Sequence, residues 1–116
     1  MMERENVIKQ KSFDFALKII EFTELLQEKR KFLVADQLLK SGTSIGANVC
    51  EAQSAESRAD FIHKMKVAHK ESEETDYWLL LCQYSKNYPF DEKLYNDNKE
   101  LLKILNSIIS SSKKHK

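Results

Sequence analysis

The sequence has few of the residues that interrupt regular structure, because its 116 positions hold only two glycines and one proline. Folds built from strands and turns need far more breaks of that kind, so the chain is predicted to form long helices. Hydrophobic residues make up 41% and charged residues 32% of the chain, which is the balance of a globular protein and not of a disordered one. We expect one domain over residues 1–116, with a core of its own.

Long apolar runs and cysteines are also scarce. No run approaches the roughly 18 apolar residues that span a bilayer, and the polar residues 1–11 contain no secretory signal. We therefore expect a cytoplasmic protein without membrane contact. The only two cysteines, Cys50 and Cys82, lie in apolar stretches, so buried free thiols are expected rather than a disulfide.

Apolar spacing predicts four helices, at about residues 12–28, 32–53, 58–87 and 91–111. Ser12 and Asp91 are the expected N-caps of the first and fourth helices. Ser57 and Asp60 form a capping box at the start of the third. Residues 28–31 connect the first two helices without a glycine or proline to mark the turn.

Four helices with short connections place neighbours antiparallel, so the predicted fold class is all-α, an antiparallel up-down four-helix bundle. Phe13, Ala16, Leu17 and Ile20 are expected to widen the core face of the first helix. Gly42 and Gly46 lie inside the second helix, where each weakens the helix and therefore indicates close approach of a neighbouring backbone. The predicted core consists of Phe15, Ile19, Phe22, Leu38, Ile45, Val49, Phe61, Met65, Leu79, Leu101, Leu105 and Ile108.

Patterns that carry catalysis or bind metal are sparse. A di-iron bundle takes a Glu-x-x-His from each of two helices, and the only approach is Asp60-Phe61-Ile62-His63, where Asp60 serves better as a cap. Neither cysteine is matched with a histidine and an orienting carboxylate. We predict no enzymatic activity, no metal and no cofactor. A small enzyme or metal-storage bundle is the alternative from a different class of function.

The third predicted helix is apolar around its whole circumference between residues 77 and 82. Tyr77, Trp78 and Leu81, together with Val67, point away from the seam that faces the core. A helix that is apolar on all sides is buried on all sides, and a second protein surface is the simplest cover. These four residues are predicted to form an oligomer interface.

The charges of the same helix are divided. Residues 58–70 are mainly basic, whereas residues 71–76 include four carboxylates and no basic residue. Three interpretations remain open: a solvated face with pairs such as Lys70 with Glu74, a head-to-tail contact between copies, or a patch that contacts phosphates. The candidate nucleic-acid-binding residues are Arg58, Lys64, Lys66 and Lys70.

The segment from Leu38 to Ala52, LLKSGTSIGANVCEA, is the most specific motif of the chain. Further segments at residues 60–65, 70–71, 74–75 and 77–79 accompany it in order. With them, the sequence resembles the bacterial four-helix-bundle family of 23S rRNA intervening-sequence proteins over essentially its whole length. That name refers to reading frames within insertions in ribosomal RNA genes and does not establish a ribosomal role.

The resemblance implies a four-helix bundle, a homopentameric ring and no enzymatic activity. A related branch, the accessory variability determinant proteins of diversity-generating retroelements, looks like a basic pentamer that binds nucleic acid and a reverse transcriptase. The present chain departs from that basic character, because its net charge is +1.

A non-enzymatic, self-assembling binding or scaffold protein is therefore the leading hypothesis. Its expected partners are further copies of itself and RNA, DNA or a nucleic-acid-processing protein; no small-molecule substrate is expected. A structural ribosomal protein would be strongly basic, and this chain is not. Gene neighbourhood, or capture of partners from lysate before and after RNA digestion, would discriminate between these hypotheses.

Overall fold

The computed structural model describes the backbone of residues 2–114 and the side chains of residues 6–114. Four helices occupy that part of the chain: α1 (Met2–Glu28), α2 (Phe32–Ala52), α3 (Arg58–Tyr84) and α4 (Glu92–Lys114). They form an elongated bundle of 49 × 20 × 19 Å. Each helix packs against two others in the cyclic order α1, α2, α3, α4, and within the described residues the backbones of the diagonal pairs lie farther apart. The predicted antiparallel four-helix bundle is confirmed.

The core follows the predicted seams. Every predicted core residue is buried except Phe61, which is half-buried at the edge of the core. Along α2, the buried residues recur every three or four positions, because this is the spacing that keeps side chains on one face of a helix. They are Val34, Ala35, Leu38, Ser41, Gly42, Ile45, Val49 and Ala52.

The beginning of α1 was predicted wrongly. The helix starts at Met2, and Ser12, the expected N-cap, lies inside it with 1% of its surface exposed. Its hydroxyl donates to the carbonyl of Lys9 at 3.2 Å. A serine that bonds back to the preceding turn looks the same in the sequence as a serine that caps the next one.

The turn from α1 into α2 is a Schellman motif without glycine. Arg30 takes the left-handed conformation with φ 63°. Its N–H donates to the Gln27 carbonyl at 2.9 Å, and the N–H of Lys31 donates to the Leu26 carbonyl at 2.8 Å. Glycine usually fills this left-handed position, and because arginine fills it here, residue type does not mark the turn.

The predicted Ser57 cap of α3 is confirmed, although Asp60 reaches back to Glu56 and not to Ser57 as in a capping box. The end of the helix is earlier than predicted. Ser57 Oγ accepts the N–H of Asp60 at 3.0 Å, while Asp60 Oδ2 accepts the N–H of Glu56 at 3.2 Å. The helix ends at Tyr84 and not at residue 87. Asn87, with φ 65°, reverses the chain direction before the following helix.

The predicted cap of α4 is confirmed as well. Asp91 Oδ1 accepts the N–H of Leu94 at 3.0 Å. The helix then continues past its predicted end at residue 111 to Lys114. Ser112, with 6% of its surface exposed, packs into the bundle, so tertiary contact extends the last turn beyond what the polar sequence suggested.

Four polar side chains lie fully buried where α3 meets its neighbours. Thr75 and Ser41 join α3 to α2 through their hydroxyl oxygens at 2.9 Å. Ser72 and Asn98 join α3 to α4. Because each group has a partner, the layer is stable in the core and favours one register of the helices.

Gly42 and Gly46 lie where α1 and α2 come closest. A methyl group on Gly42 would lie 2.7 Å from Cγ1 of Ile19, and one on Gly46 would lie 3.2 Å from the carbonyl oxygen of Ser12. The predicted close helix contact is confirmed at both positions, but only Gly46 faces the backbone of α1, whereas Gly42 faces the side chain of Ile19.

The two cysteines differ in environment. Both are free thiols, and Cys82 is buried as expected, with a pKa raised to about 11 by that burial. Cys50 is exposed, contrary to expectation, because its position on α2 lies off the buried seam.

None of the helices within residues 2–114 has an apolar stretch long enough to cross a membrane.

Candidate functional site

An apolar strip on the second half of α3 faces solvent. Tyr77 is 56% exposed, Tyr84 is 80% exposed, and Leu81 between them is half-buried. Their i, i+4, i+7 spacing places them on one face of the helix, away from the buried Leu79 and Cys82. We call Tyr77, Leu81 and Tyr84 the α3 strip. Tyr84 was not among the predicted interface residues, although its spacing from Tyr77 could have identified it.

The other two predicted interface residues, Trp78 and Val67, are half-buried. Trp78 packs against the edge of the core, its indole N–H donates to Glu74 Oε2 at 3.2 Å, and its ring meets that of Tyr77 edge-on at 5.3 Å. The carboxylate of Glu74 therefore serves Trp78, and the expected ion pair with Lys70 does not form among the described residues.

A second exposed apolar strip lies on α1. Phe13 is 59% exposed, Leu17 48% and Ile20 41%, so the prediction that they widen the core face is wrong. At about 100° per residue they lie on the side of the helix away from the buried Phe15 and Ile19. We call Phe13, Leu17 and Ile20 the α1 strip. It has the same i, i+4, i+7 spacing as the α3 strip.

The two strips face away from each other. α1 and α3 occupy diagonal corners of the bundle, because each packs closely against α2 and α4 and their own backbones lie farther apart within the described residues. Each strip lies on the outward side of its helix, so the strips occupy opposite sides of the molecule. Single exposed apolar residues are ordinary, whereas each strip aligns three apolar residues along one face of a helix.

An open groove of about 550 Å³ runs beside the α1 strip, between α1 and α2. Phe13 and Ala16 form its α1 side, and Gly46, Ala47 and Cys50 form its α2 side. The small residues that allow the two helices to approach closely also leave this groove open to solvent. It extends the apolar surface of the α1 strip.

The four basic residues proposed for nucleic-acid binding do not form one patch. Lys64 Nζ lies 3.4 Å from Glu51 Oε1, at the contact between α3 and α2. Arg58 lies by a shallow depression on the α4 side, with Lys113. Lys66 and Lys70 are exposed on the outward face of α3, and neither has an ion-pair partner among residues 6–114. Only these last two remain together as exposed cations.

The acidic run that follows on α3 is partly withdrawn from solvent. Burial, and then repulsion by Glu74, raise the pKa of Glu71, while Lys40 and Lys70 act in the opposite direction. Asp76 Oδ1 lies 3.0 Å from the ammonium group of Lys99 on α4. These acidic groups support the contacts of α3 with its neighbours and do not form a tuned acid–base pair.

Metal ligands do not come together in the part of the chain whose side chains are described. No group of three His, Cys, Asp or Glu side chains within residues 6–114 is arranged to hold a metal ion. His63 is exposed, and Asp60 of the same segment is used as a helix cap.

Comparison with known proteins places the chain among related bundles. The model of the 23S rRNA-intervening sequence protein family matches residues 4–107. The chain is also similar to a crystal structure, at 1.70 Å resolution, of a protein with unknown function from the S23 ribosomal protein family of Bacteroides thetaiotaomicron VPI-5482. The two are 44% identical, the match covers 92% of this chain and 98% of that one, and the TM-score is 0.87. A comparison with curated proteins gives no match.

Proposed function

The chain belongs to the family of 23S rRNA-intervening sequence proteins, and we propose that it is a non-enzymatic scaffold that assembles from several copies of itself. The observation that carries the proposal is the pair of apolar strips on opposite sides of the bundle. A monomer would leave both strips in water, whereas association removes them from it, and burial of apolar surface is the main driving force of protein association.

The position of the strips also favours a particular kind of assembly. If the strips pack on each other, a contact between two copies uses the α1 strip of one and the α3 strip of the other, and leaves one strip exposed at each end. Such head-to-tail contacts continue until they close into a ring or extend as a filament. A ring of five copies, the expectation from the family resemblance, is one closed form of this arrangement.

Sedimentation velocity of the purified chain and of strip variants tests the proposal. Leu17→Glu and Tyr84→Glu each place a charge in one strip, where burial without a partner is unfavourable. Both are exposed positions, so the bundle should remain folded, which circular dichroism would verify. Asn106→Glu is the matched control, because it adds the same charge to an exposed position of α4.

Wild type and Asn106→Glu should sediment as assemblies larger than a dimer, and both strip variants as smaller species. Trp78→Glu is a less suitable probe, since Trp78 also packs on the core. A monomeric wild type, or strip variants that assemble as well as the control, would contradict the proposal.

A second candidate function is contact with nucleic acid, favoured by Lys66 and Lys70. They lie one turn apart on the outward face of α3 without an ion-pair partner among the described residues. Two lysines bind phosphates weakly, but an assembly repeats them, and several weak contacts made together give useful affinity. The binding would be tolerant of sequence, because lysine contacts to phosphates do not read bases.

A gel-shift titration at low salt tests this second function. Wild type should shift both RNA and DNA, and the shift should weaken steeply as salt rises. Lys66→Glu/Lys70→Glu should abolish it, whereas the control Lys29→Glu/Lys103→Glu, which reverses two exposed charges elsewhere, should retain most of it. Absence of any shift by wild type would remove nucleic acid as a partner.

A further inference from the structure

The charges beside the two strips indicate how one copy docks on the next. We infer that the α1 strip of one copy packs on the α3 strip of a second copy with the two helices parallel, and with Leu17 level with Leu81. The inference rests on the proposed self-assembly and adds to it the faces, the direction and the register of the contact.

The strips match in spacing. Phe13, Leu17 and Ile20 follow the same i, i+4, i+7 pattern as the three residues of the α3 strip. At 1.5 Å per residue, each strip is about 10 Å long. Two apolar ridges of equal length can therefore cover each other fully when their central leucines are level.

At the first end of the contact, opposite charges then meet. Lys9 lies two helical turns before Leu17, and Glu73 and Glu74 lie two turns before Leu81. Lys9 is exposed and has no ion-pair partner among the described residues, and Glu73 is also exposed. In the parallel arrangement the lysine of one copy faces the acidic pair of the other.

The second end shows the same complementarity with the signs exchanged. Glu21 and Glu24 follow the centre of the α1 strip, and Lys86 lies in the turn two residues after α3 ends at Tyr84. All three residues are exposed. Parallel packing thus brings an attractive pair of charges to each end of the contact.

Antiparallel packing of the same strips would bring like charges together. Glu24 would then be level with Glu74, and Lys9 would approach Lys86. Juxtaposed like charges suppress a wrong arrangement more strongly than matched charges improve the right one. The charge pattern therefore selects the parallel direction.

A parallel contact also fits a closed assembly. Because the bundle is up-down-up-down, α1 and α3 run in the same direction within one copy. With parallel packing, the helices of every copy run in the same direction. Copies related by rotation about an axis parallel to the helices must have this property. The inferred contact is thus compatible with a ring whose axis follows the bundle.

A mixing experiment tests whether the two strips are partners. Leu17→Glu keeps an intact α3 strip, and Tyr84→Glu keeps an intact α1 strip, so each variant alone should be monomeric. In an equimolar mixture, the two intact strips should join one copy of each into a heterodimer of twice 13.6 kDa. If wild type assembles but the mixture stays monomeric, the strips do not bind each other and the inference is wrong.

Charge reversal tests direction and register. Two variants should each raise the concentration at which half of the protein is assembled: Lys9→Glu, and Glu73→Lys/Glu74→Lys. The triple variant, which combines all three substitutions, should restore that concentration toward the wild-type value. Tighter assembly of Lys9→Glu alone, with loss of that gain in Lys9→Glu/Lys86→Glu, would instead show antiparallel packing, because Lys9 then lies near Lys86. Failure of the triple variant to rescue assembly, with wild type still assembled, would overturn the inference and leave self-assembly standing. A monomeric wild type would overturn both.

Discussion

Ser72 and Asn98 bind each other twice across the contact between α3 and α4. The hydroxyl of Ser72 donates to Asn98 Oδ1 at 2.7 Å, and Asn98 Nδ2 donates to the main-chain carbonyl of Ser72 at 2.9 Å. Both residues are fully buried. A shift of α4 by one turn would leave buried polar groups without partners, so this pair stabilises one register of the bundle.

Asn98→Ala tests that role. The substitution leaves the Ser72 hydroxyl without its acceptor in the core and should lower the free energy of unfolding by about 1–3 kcal/mol. Asn96→Ala, at an exposed position of the same helix, should change it little. Urea denaturation followed by circular dichroism measures both, and equal effects of the two variants would show that the buried pair contributes nothing specific.

Gly42→Ala should destabilise the bundle despite the better helix propensity of alanine, which favours the substitution by about 1 kcal/mol. The new methyl group would lie within 3 Å of three side-chain carbons of Ile19, a fully buried residue, and overpacking of this kind costs about 1–3 kcal/mol. In an Ile19→Ala background, the same Gly42→Ala change should be much less harmful. A thermal melt in which Gly42→Ala is more stable than wild type would contradict the close contact.

Arg30→Gly should stabilise the protein by about 1 kcal/mol, because glycine adopts the left-handed conformation of the Schellman turn without the steric penalty of a side chain. Arg30→Ala is the control, since it removes the same side chain and keeps a Cβ. Chemical denaturation should rank the glycine variant above both others. If the alanine variant gained as much, the effect would come from the arginine side chain and not from the backbone.

Glu71→Gln should make stability less dependent on pH. The pKa of Glu71 is raised from 4.5, chiefly by burial and next by Glu74. The folded state therefore binds this proton more tightly than the unfolded chain, and ionisation of Glu71 reduces stability as pH rises through its raised pKa. The melting temperature of the variant should exceed that of wild type at neutral pH, and the difference should disappear in acid. Glu56→Gln, which changes an exposed carboxylate, is the control and should show no such trend.

Much of the bundle could be predicted from residue spacing. The seams of α2, α3 and α4 repeat every three or four residues, and the caps at Ser57 and Asp91 use the ordinary chemistry of helix ends. The first helix was harder to interpret, because Ser12 bonds within the helix and Arg30 occupies a position where glycine is usual. Both depend on the local backbone conformation, which residue type alone does not determine.

The candidate site was only partly predictable, because it depends on where neighbouring helices lie. Apolar spacing identifies Tyr77 and Leu81, but it does not separate the α1 strip from the core face, because only the positions of α2 and α4 determine which side of α1 is covered. Similarly, nothing in the sequence of α3 indicates that Lys64 pairs with Glu51 on α2. A pattern within one helix shows which residues share a face, and only the packing shows what that face meets.

The mass of the wild-type protein in solution tests the central claim most directly. Multi-angle light scattering across the micromolar range should give a mass of at least three times the 13.6 kDa of one chain, with no monomer at the upper concentrations. A mass of 13.6 kDa throughout that range would show that both apolar strips remain in water, and would contradict the account of this protein as a self-assembling scaffold.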